Sequence, residues 1–322
     1  MHLLITHASA LGDAADAAIA LLAKLGLPNL SQLLGRLQAE PPVSADDATL
    51  DEYSLNPPHE RAILRAAGWP AAVDGELPWA AWLARRDGVD LPAGSAVGLI
   101  TPVHWHVGSD QISLLDPALL ALTEPESLAL MAVLQDLVAE HGWQLHHGAP
   151  HRWYAVAPLM AQIRSASLDR VVGRSVDLWL PRDTHARIVR RLQVELQMTL
   201  HEHPLTVARE ERGALTVNSF WLSGTGVAPA TGAALPAGLQ LDDRLGAPLL
   251  AGLWQAWCDA WQALDAGPIA ALLKTAQAGE PARITLCGEK LAQAWATRPI
   301  GLFEKLGWRK PQADIATTLH AL

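Results

Sequence analysis

The sequence predicts an α/β fold with an inserted α+β subdomain. A short apolar strand at residues 3–6 opens the chain, and a helical pattern follows from Ala14 to Leu25. Another apolar strand, residues 283–287, comes late in the chain after a second helical region. Strands separated by helices are typical of an α/β core. Between these parts, residues 143–226 alternate between short strand and helix patterns, which predicts the insert.

Prolines and glycines set the element boundaries in the first half of the chain. The helical pattern restarts after Pro28, and a proline in a first helical turn costs no hydrogen bond. Residues 40–60, rich in Pro, Asp and Ser, predict a surface connection. The next elements are predicted as a helix from about His59 to Ala67, a helix from Pro78, and an apolar strand from Val97 to Val107.

A capping box predicts the start of one long helix. Thr123 is followed three residues later by Glu126, with Pro125 in the first turn. Apolar residues at helical spacing then predict the buried face: Leu128, Met131, Leu134, Leu137 and Val138.

The insert is predicted from the pattern of residues 143–226. Residues 143–145 and 152–156 have strand patterns around a turn, and residues 176–180 predict a further strand. A helix follows with leucines and Ile188 recurring every four residues. After the break at Pro204 a helix resumes, and residues 217–222 predict a strand that ends in a Ser-Gly-Thr-Gly turn. Backbone N–H groups in such a turn can hold an anion.

The last third returns to the core. Residues 228–238 are rich in Ala, Pro and Gly and predict a linker. Pro248 is predicted to start a helix whose tryptophans, Trp254, Trp257 and Trp261, recur at three and four residues and indicate a packing face. A small basic cluster in the C-terminal segment and a last helix are expected after the final strand.

Composition excludes several classes of function. The net charge is −9, the pI is near 5.8 and no basic run occurs, which argues against nucleic-acid binding. The N-terminus lacks the basic region of a signal peptide. The apolar window 14–27 carries charges and is too short to span a bilayer. We therefore expect a cytoplasmic protein that does not bind membranes, with Cys258 and Cys287 as reduced, buried thiols.

Residues 195–226 concentrate polar side chains in a pattern that resembles the insert of archaeal-type, cofactor-independent phosphoglycerate mutases. The pattern is H-P-x-x-x-x-R, a glycine, and N-x-x-W-x-x-G-x-G. The matching residues are His203, Pro204, Arg209, Gly213, Asn218, Trp221, Gly224 and Gly226. Over nearly the full chain, the sequence resembles the RpfE-type bacterial regulatory proteins, which are themselves mutase-like. Thr206 and Ser223 depart from the mutase pattern.

The resemblance implies an alkaline-phosphatase-like core at residues 1–117 and 240–322, with the insert at 118–239. The segment HGAPHR resembles the H-G-x-x-Y-R of the mutase insert. Its Arg152 has a planar guanidinium that suits a carboxylate or phosphate. The implied ligand-binding residues are His147, Arg152, His203, Arg209, Asn218, Trp221, Gly224 and Gly226. The alternative is an ordinary strand and turn, with the histidines capping a helix end.

A serine nucleophile is also implied. Ser109 and Asp110 lie in a segment that resembles the one that carries the phosphorylated serine of the mutases. A serine hydroxyl needs activation, which two metal ions supply in that family. His7 stands where the mutases have a metal-binding Asp, and the late CGEK segment lacks their Asp and His. Weak metal candidates are His7, Asp13, His104, His106 and Asp110.

Three hypotheses follow. The leading one is a mutase-like protein without metal-dependent activity, which binds a small anionic metabolite or acts as a regulatory protein, and for which no cofactor is predicted. The second is an active phosphotransferase with an altered ligand set around Ser109, which would need manganese or zinc. The third is a protein-interaction module. The sequence does not fix the oligomeric state.

Overall fold

The computed structural model describes residues 1–41, 51–229, 234–297 and 312–322. The strands are β1 His2–Ile5, β2 Leu37–Ala39, β3 Ala96–Val103, β4 Trp105–Val107, β5 Ile112–Leu114, β6 Gln144–Ala149, β7 Arg152–Val156, β8 Ser219–Val227, β9 Leu239–Asp242, β10 Arg283–Cys287 and β11 Ala292–Thr297. The helices are α1 Asp13–Leu25, α2 Pro28–Arg36, α3 Pro58–Ala66, α4 Trp79–Arg86, α5 Glu124–Ala139, α6 Leu168–Val171, α7 Arg187–Leu200, α8 Pro204–Glu211, α9 Gly246–Leu250, α10 Trp254–Leu264, α11 Ala270–Gln277 and α12 Ile315–His320.

The described residues form two compact units. Unit 1 lies within Met1–Tyr53, Pro57–Ala67 and Ala234–Leu322. Unit 2 lies within Ser54–Asn56 and Gly68–Ala233. This division differs from the boundaries expected at 117/118 and 239/240, because residues 68–117 belong to unit 2. The physical reason is strand pairing, since β3 pairs with β7 and β8 of the same sheet.

Unit 1 is built on a mixed five-stranded sheet in the order β2-β11-β10-β1-β9. The central strand β1 runs parallel to both β9 and β10, while β11 pairs antiparallel with β10 and with β2. Because the three parallel strands are in register, their carboxyl ends lie at one edge of the sheet, where Ile5 is opposite Asp242 and Leu286.

The core of unit 1 joins the sheet to its helices. Leu3 and Ile5 of β1 are fully buried and pack in one cluster with side chains of α1, α2, α10 and α11. Trp257 and Trp261 of α10 are also fully buried, with their rings edge to face at 6.2 Å. The tryptophan pattern is therefore a packing face, as the sequence predicted.

Unit 2 is built on an antiparallel sheet in the order β6-β7-β3-β8, with β4 and β5 as a separate hairpin. Helix α5 begins with the predicted capping box, in which Thr123 and Glu126 bond to each other's backbone N–H groups. Its buried residues are Ser127, Leu130, Leu134 and Val138. Leu128, predicted for the buried face, is 43% exposed, because the buried stripe follows 127, 130, 134 and 138 instead.

Most predicted elements are present near their expected positions. The helices at 14–25, after Pro28, from His59, after Pro78 and after Thr123 occur as α1 to α5, and the last helix occurs as α12. The strands at 143–145, 152–156 and 283–287 are represented by β6, β7 and β10. The C-terminal basic cluster lies largely outside the described residues, as do parts of the connection at 40–60 and of the linker at 228–238.

Two strand predictions need correction. Residues 176–180 do not form a strand but begin with a 3₁₀ turn, because Val176 and Trp179 are buried at helical spacing. The Ser-Gly-Thr-Gly segment is not a turn at the end of a strand, because it lies inside β8, which is buried from Ser219 to Gly226. The prediction of an anion-binding turn at this place is therefore wrong.

The helix predicted from Pro248 is divided. Helix α9 ends at Leu250, a turn with Gly252 at φ 66° follows, and α10 begins at Trp254. A π-helical segment, Asp265–Ile269, then leads into α11 and contains Pro268.

Within the described part of the chain, no single helix has the length and apolar character needed to cross a membrane. Only α1 and α2 taken together pass that test, and they meet at a bend of 90°.

Candidate functional site

The predicted nucleophile Ser109 lies in the turn of the β4–β5 hairpin. Gly108 closes this turn by donating its backbone N–H to the Gln111 carbonyl oxygen at 3.0 Å. Ser109 and Asp110 are both exposed at the tip. A serine at an exposed turn has the reactivity of an ordinary alcohol unless a base or metal is brought to it.

Of the weak metal candidates His104 and His106, the first lies in the break between two strands and the second lies within the strand that follows. His104 stands between β3 and β4, and its Nδ1 forms a 2.8 Å hydrogen bond with the Thr216 carbonyl oxygen. His106 is exposed on β4, paired with Ser113. Within the described ranges, neither histidine nor Asp110 belongs to a group of three potential metal ligands that converge on one point.

Arg152 of the HGAPHR segment forms a two-point ion pair with Asp87. Its Nε and Nη2 donate to the two carboxylate oxygens at 2.7 and 2.8 Å, and Tyr154 donates its hydroxyl to the same carboxylate at 2.5 Å. Burial raises the pKa of Asp87, but these hydrogen bonds outweigh it and hold the pKa below its usual value. A Cβ on Gly148 would lie 2.5 Å from the Tyr154 ring, so a residue with a side chain does not fit at this position.

His147 takes part in a Ser–His–Glu series. Ser127 Oγ lies 3.1 Å from His147 Nε2, and His147 Nδ1 lies 3.4 Å from Glu124 Oε1. Serine, histidine and glutamate follow one another as in a hydrolase triad, but the proton of the serine hydroxyl does not point to the histidine. Ser127 donates its one proton to the Pro150 carbonyl oxygen and accepts from Trp153 Nε1, both at 2.9 Å. His147 must therefore donate to Ser127, which is fully buried, and cannot act as its base.

His203 is the N-cap of α8. Its Nδ1 accepts the backbone N–H of Leu205 at 3.2 Å, which satisfies one of the donors that every helix start leaves unpaired. Histidine as a helix cap is the alternative that the sequence left open for this segment.

Arg209 is buried and connects three parts of unit 2. Its Nη1 donates to Glu126 Oε1 at 2.8 Å, its Nε to the Leu215 carbonyl oxygen at 2.8 Å, and its Nη2 to the Leu120 carbonyl oxygen. Arg212 donates to the same oxygen of Glu126. Burial raises the pKa of Glu126, but the bonds from Arg212, Thr123 and Arg209 lower it to about 2.

Asn218 and Trp221 hold β8 to its neighbours. The Asn218 amide exchanges two hydrogen bonds with the Trp105 backbone, accepting at 2.7 Å and donating at 3.0 Å. The side-chain amide thus pairs with the Trp105 backbone as a neighbouring strand would. Trp221 is buried and donates its indole N–H to the Ala166 carbonyl oxygen at 2.9 Å.

Gly224 and Gly226 allow the start of α4 to approach β8. A Cβ on Gly224 would lie 2.7 Å from the Ala80 backbone nitrogen, and its φ of 59° disfavours other residues. A Cβ on Gly226 would lie 2.7 Å from the Glu76 carbonyl oxygen. The motif residues of unit 2 thus have clear roles in its packing.

The sequence indicates His7 as a metal candidate but not the polar residues that join it at the carboxyl edge of the parallel strands of unit 1. Those residues are Thr6, His59, Asp242 and Arg244. Ligands of α/β proteins bind at this edge, where the strands end and the loops begin. Asp13, by contrast, is exposed in the first turn of α1.

His7 is the second residue beyond β1 and has φ 55°, in the left-handed region. Its Nδ1 is 2.9 Å from Thr6 Oγ1, and Trp257 donates its indole N–H to the His7 carbonyl oxygen at 3.2 Å. The ring also fits against Gly246, where a Cβ would lie 3.0 Å from Nδ1. His7 is therefore fixed from three sides.

The ring of His7 lies against that of His59, which is buried on α3. The ring centroids are 4.5 Å apart and the planes tilt by 37°. One nitrogen of each ring lies within 4.8 Å of the other. Two imidazoles this close can share an anion or donate to one metal ion.

Arg244 lies two residues beyond β9, at the same edge of the sheet. Its Nε and Nη2 donate to the two oxygens of Asp242 at 2.8 and 2.7 Å. Hydrogen bonding to Asp242 raises the pKa of Arg244. The carboxylate is buried, while the Arg244 side chain is 42% exposed. Its Nη1 has no protein partner within the described ranges, and remains available to an anion.

The donors of this edge do not match a two-metal centre. Such a centre needs about five or six Asp and His ligands. Within unit 1 the edge contributes two imidazoles and the carboxylate of Asp242, whose oxygens both accept hydrogen bonds from Arg244. The end of β10 contributes Cys287, which is fully buried and whose thiol pKa burial raises.

Comparison with known proteins gives a distant likeness. No protein-family model matches the chain, and no curated protein matches it. Among solved structures it is similar to the cofactor-independent phosphoglycerate mutase from Thermoplasma acidophilum DSM 1728. The identity is 14%, over 92% of this chain and 89% of that chain, with a TM-score of 0.36. This likeness says nothing about activity, and the RpfE-type resemblance stays a prediction.

Proposed function

We propose that this mutase-like protein binds a small phosphorylated or carboxylated metabolite at the carboxyl edge of unit 1. The proposed binding residues are His7, His59 and Arg244. The proposed role is recognition of the metabolite, without the two-metal reaction of the mutases.

The conformation of His7 carries the proposal. The left-handed region costs a non-glycine residue about 1–2 kcal/mol. Such strain persists where the surroundings enforce it, and it concentrates at binding and catalytic sites. Here Thr6, Gly246 and His59 hold the ring at the end of the central parallel strand.

Charge supports an anionic ligand. The chain carries a net charge of −9, so an anion needs a local group of cations to bind. Arg244 has a half-exposed guanidinium that Asp242 orients from one side. A phosphate or carboxylate can take the remaining Nη1 in a charge-assisted hydrogen bond.

Binding of 3-phosphoglycerate, measured by equilibrium dialysis, tests this proposal. We expect saturable binding that His7→Asn and Arg244→Gln each weaken about tenfold, the value of one charge-assisted hydrogen bond. Asparagine tolerates the left-handed backbone and so removes the imidazole alone.

Arg283→Gln is the matched control. Arg283 pairs with Glu40 at the amino end of β10, is 39% exposed, and lies in the same sheet. We expect it to bind like the unchanged protein. Equal weakening by Arg283→Gln and Arg244→Gln would refute a site at the carboxyl edge.

A second candidate function is binding of one metal ion by His7, which the sequence gives as a weak metal candidate, together with His59, which it does not. The approach of the two rings favours it. Ligands in addition to these two would have to complete the coordination.

A further inference from the structure

We propose a second anion site on unit 2, in a groove that begins at the start of α7. The groove has a volume of about 560 Å³. Its walls include His141, Trp143, His185, Arg187, Ile188 and Arg191. Small-molecule sites commonly enclose roughly 300–1,000 Å³, so a metabolite-sized ligand fits.

Most of the polar side chains that line the groove are basic. Arg187 and His185 are exposed, and neither side chain has a hydrogen bond or ion pair with any described residue. Arg191 donates its Nε–H to Glu195 Oε1 at 2.7 Å on the exposed face of α7. The Arg187 guanidinium is thus free to meet a ligand, in a protein whose net charge is negative.

The groove also has apolar lining residues. They are Leu159, Ile188 and Trp143, of which Trp143 is 2% exposed. Apolar walls combined with a few placed polar groups are the usual composition of a ligand site. The occupant is therefore an organic anion with a phosphate or carboxylate head and a flat or branched apolar body.

Calorimetric titration of the full chain with 1-naphthyl phosphate, 1-naphthoate and uncharged 1-naphthol tests this proposal. We expect saturable binding of at least one anion, and binding of 1-naphthol at least about tenfold weaker, since the charged head carries the contact. Phosphate and carboxylate heads are distinguished by which anion binds more tightly.

The double variant Arg187→Gln, Arg191→Gln removes both guanidinium groups and keeps good helix formers on α7. We expect it to weaken anion binding about tenfold or more. Arg164→Gln is the control, because Arg164 is an exposed arginine of unit 2 that is paired with Glu76. Circular dichroism checks that each variant is folded.

The unit 1 variant Arg244→Gln separates this site from the one proposed above. We expect it to leave binding of the naphthyl anion unchanged. Three results would contradict an anion site in the groove. They are no saturable binding of either anion, binding by the double variant as tight as by the unchanged protein, and loss of binding in Arg244→Gln.

Discussion

Asp87 and Arg152 form a two-point ion pair that also accepts the hydroxyl of Tyr154. The pair ties the end of α4 to β7, and the ring of Tyr154 is fully buried beside it. The arginine that the sequence predicted as an anion ligand thus has a carboxylate of its own protein as its partner.

Removal of that carboxylate should destabilise unit 2. We expect Asp87→Ala to lower the free energy of unfolding by about 2–4 kcal/mol, because Arg152 and the buried Tyr154 hydroxyl both lose their acceptor. Urea denaturation followed by tryptophan fluorescence measures the change. Asp90→Ala, an exposed aspartate three residues later, is the control. Equal stability of the two variants would show that the ion pair adds little.

Glu126 should make the protein sensitive to acid. Its pKa is about 2 in the folded state and 4.5 in the reference state. Because the unfolded chain takes up the proton first, stability from this group is complete above pH 4.5 and is lost as the pH falls toward 2. We expect Glu126→Gln to be less stable at neutral pH and to flatten the decline between pH 4.5 and 2.

Stability measured by urea denaturation across that pH range tests this expectation. Glu140→Gln, at the other end of α5 and exposed, should retain the steep decline. A Glu126→Gln curve parallel to that of the unchanged protein would contradict the assignment.

Gly224 and Gly213 offer a comparison between two kinds of glycine. Both have positive φ, at 59° and 69°, but only Gly224 lacks space for a Cβ. We expect Gly213→Ala to cost about 1 kcal/mol from the backbone alone. Gly224→Ala should cost more, since the methyl group would also push α4 away from β8. Thermal unfolding of both variants measures the difference, and equal costs would contradict the close-approach explanation.

Metal binding by the histidine pair is tested by elemental analysis of protein purified without chelator or affinity-tag nickel. If His7 and His59 hold an ion, manganese or zinc should be present in stoichiometric amount and lost in His59→Ala. The same sample should be assayed for interconversion of 3-phosphoglycerate. Turnover that depends on the metal would favour the active enzyme over the binding protein.

The fold could be predicted from the sequence where local signals agree. The capping box at Thr123 and the proline at the start of α2 each mark a helix that the structure contains. The predicted strand at 176–180 failed because an apolar run of five residues fits a strand and a buried helical turn equally well. The Ser-Gly-Thr-Gly turn failed because glycines that permit close packing look the same in sequence as glycines that permit a turn.

The candidate site could be predicted only in part. His7 was singled out by its position after the first strand. His59 is more than fifty positions along the chain, and no spacing rule connects the two rings. Asp242, two positions before Arg244, is a sequence signal for the ion pair between them. The sequence analysis does not predict β9, so it does not place this ion pair at the edge of the sheet. Pairing of distant strands decides where such residues meet.

A crystal structure of the protein with 3-phosphoglycerate is the most direct test of the proposed function. We expect density for the ligand at the carboxyl edge of unit 1, with an anionic group in contact with Arg244 Nη1 and beside the His7 ring. Density for the ligand only elsewhere, including the groove on unit 2, would contradict the assignment of this edge as the metabolite site.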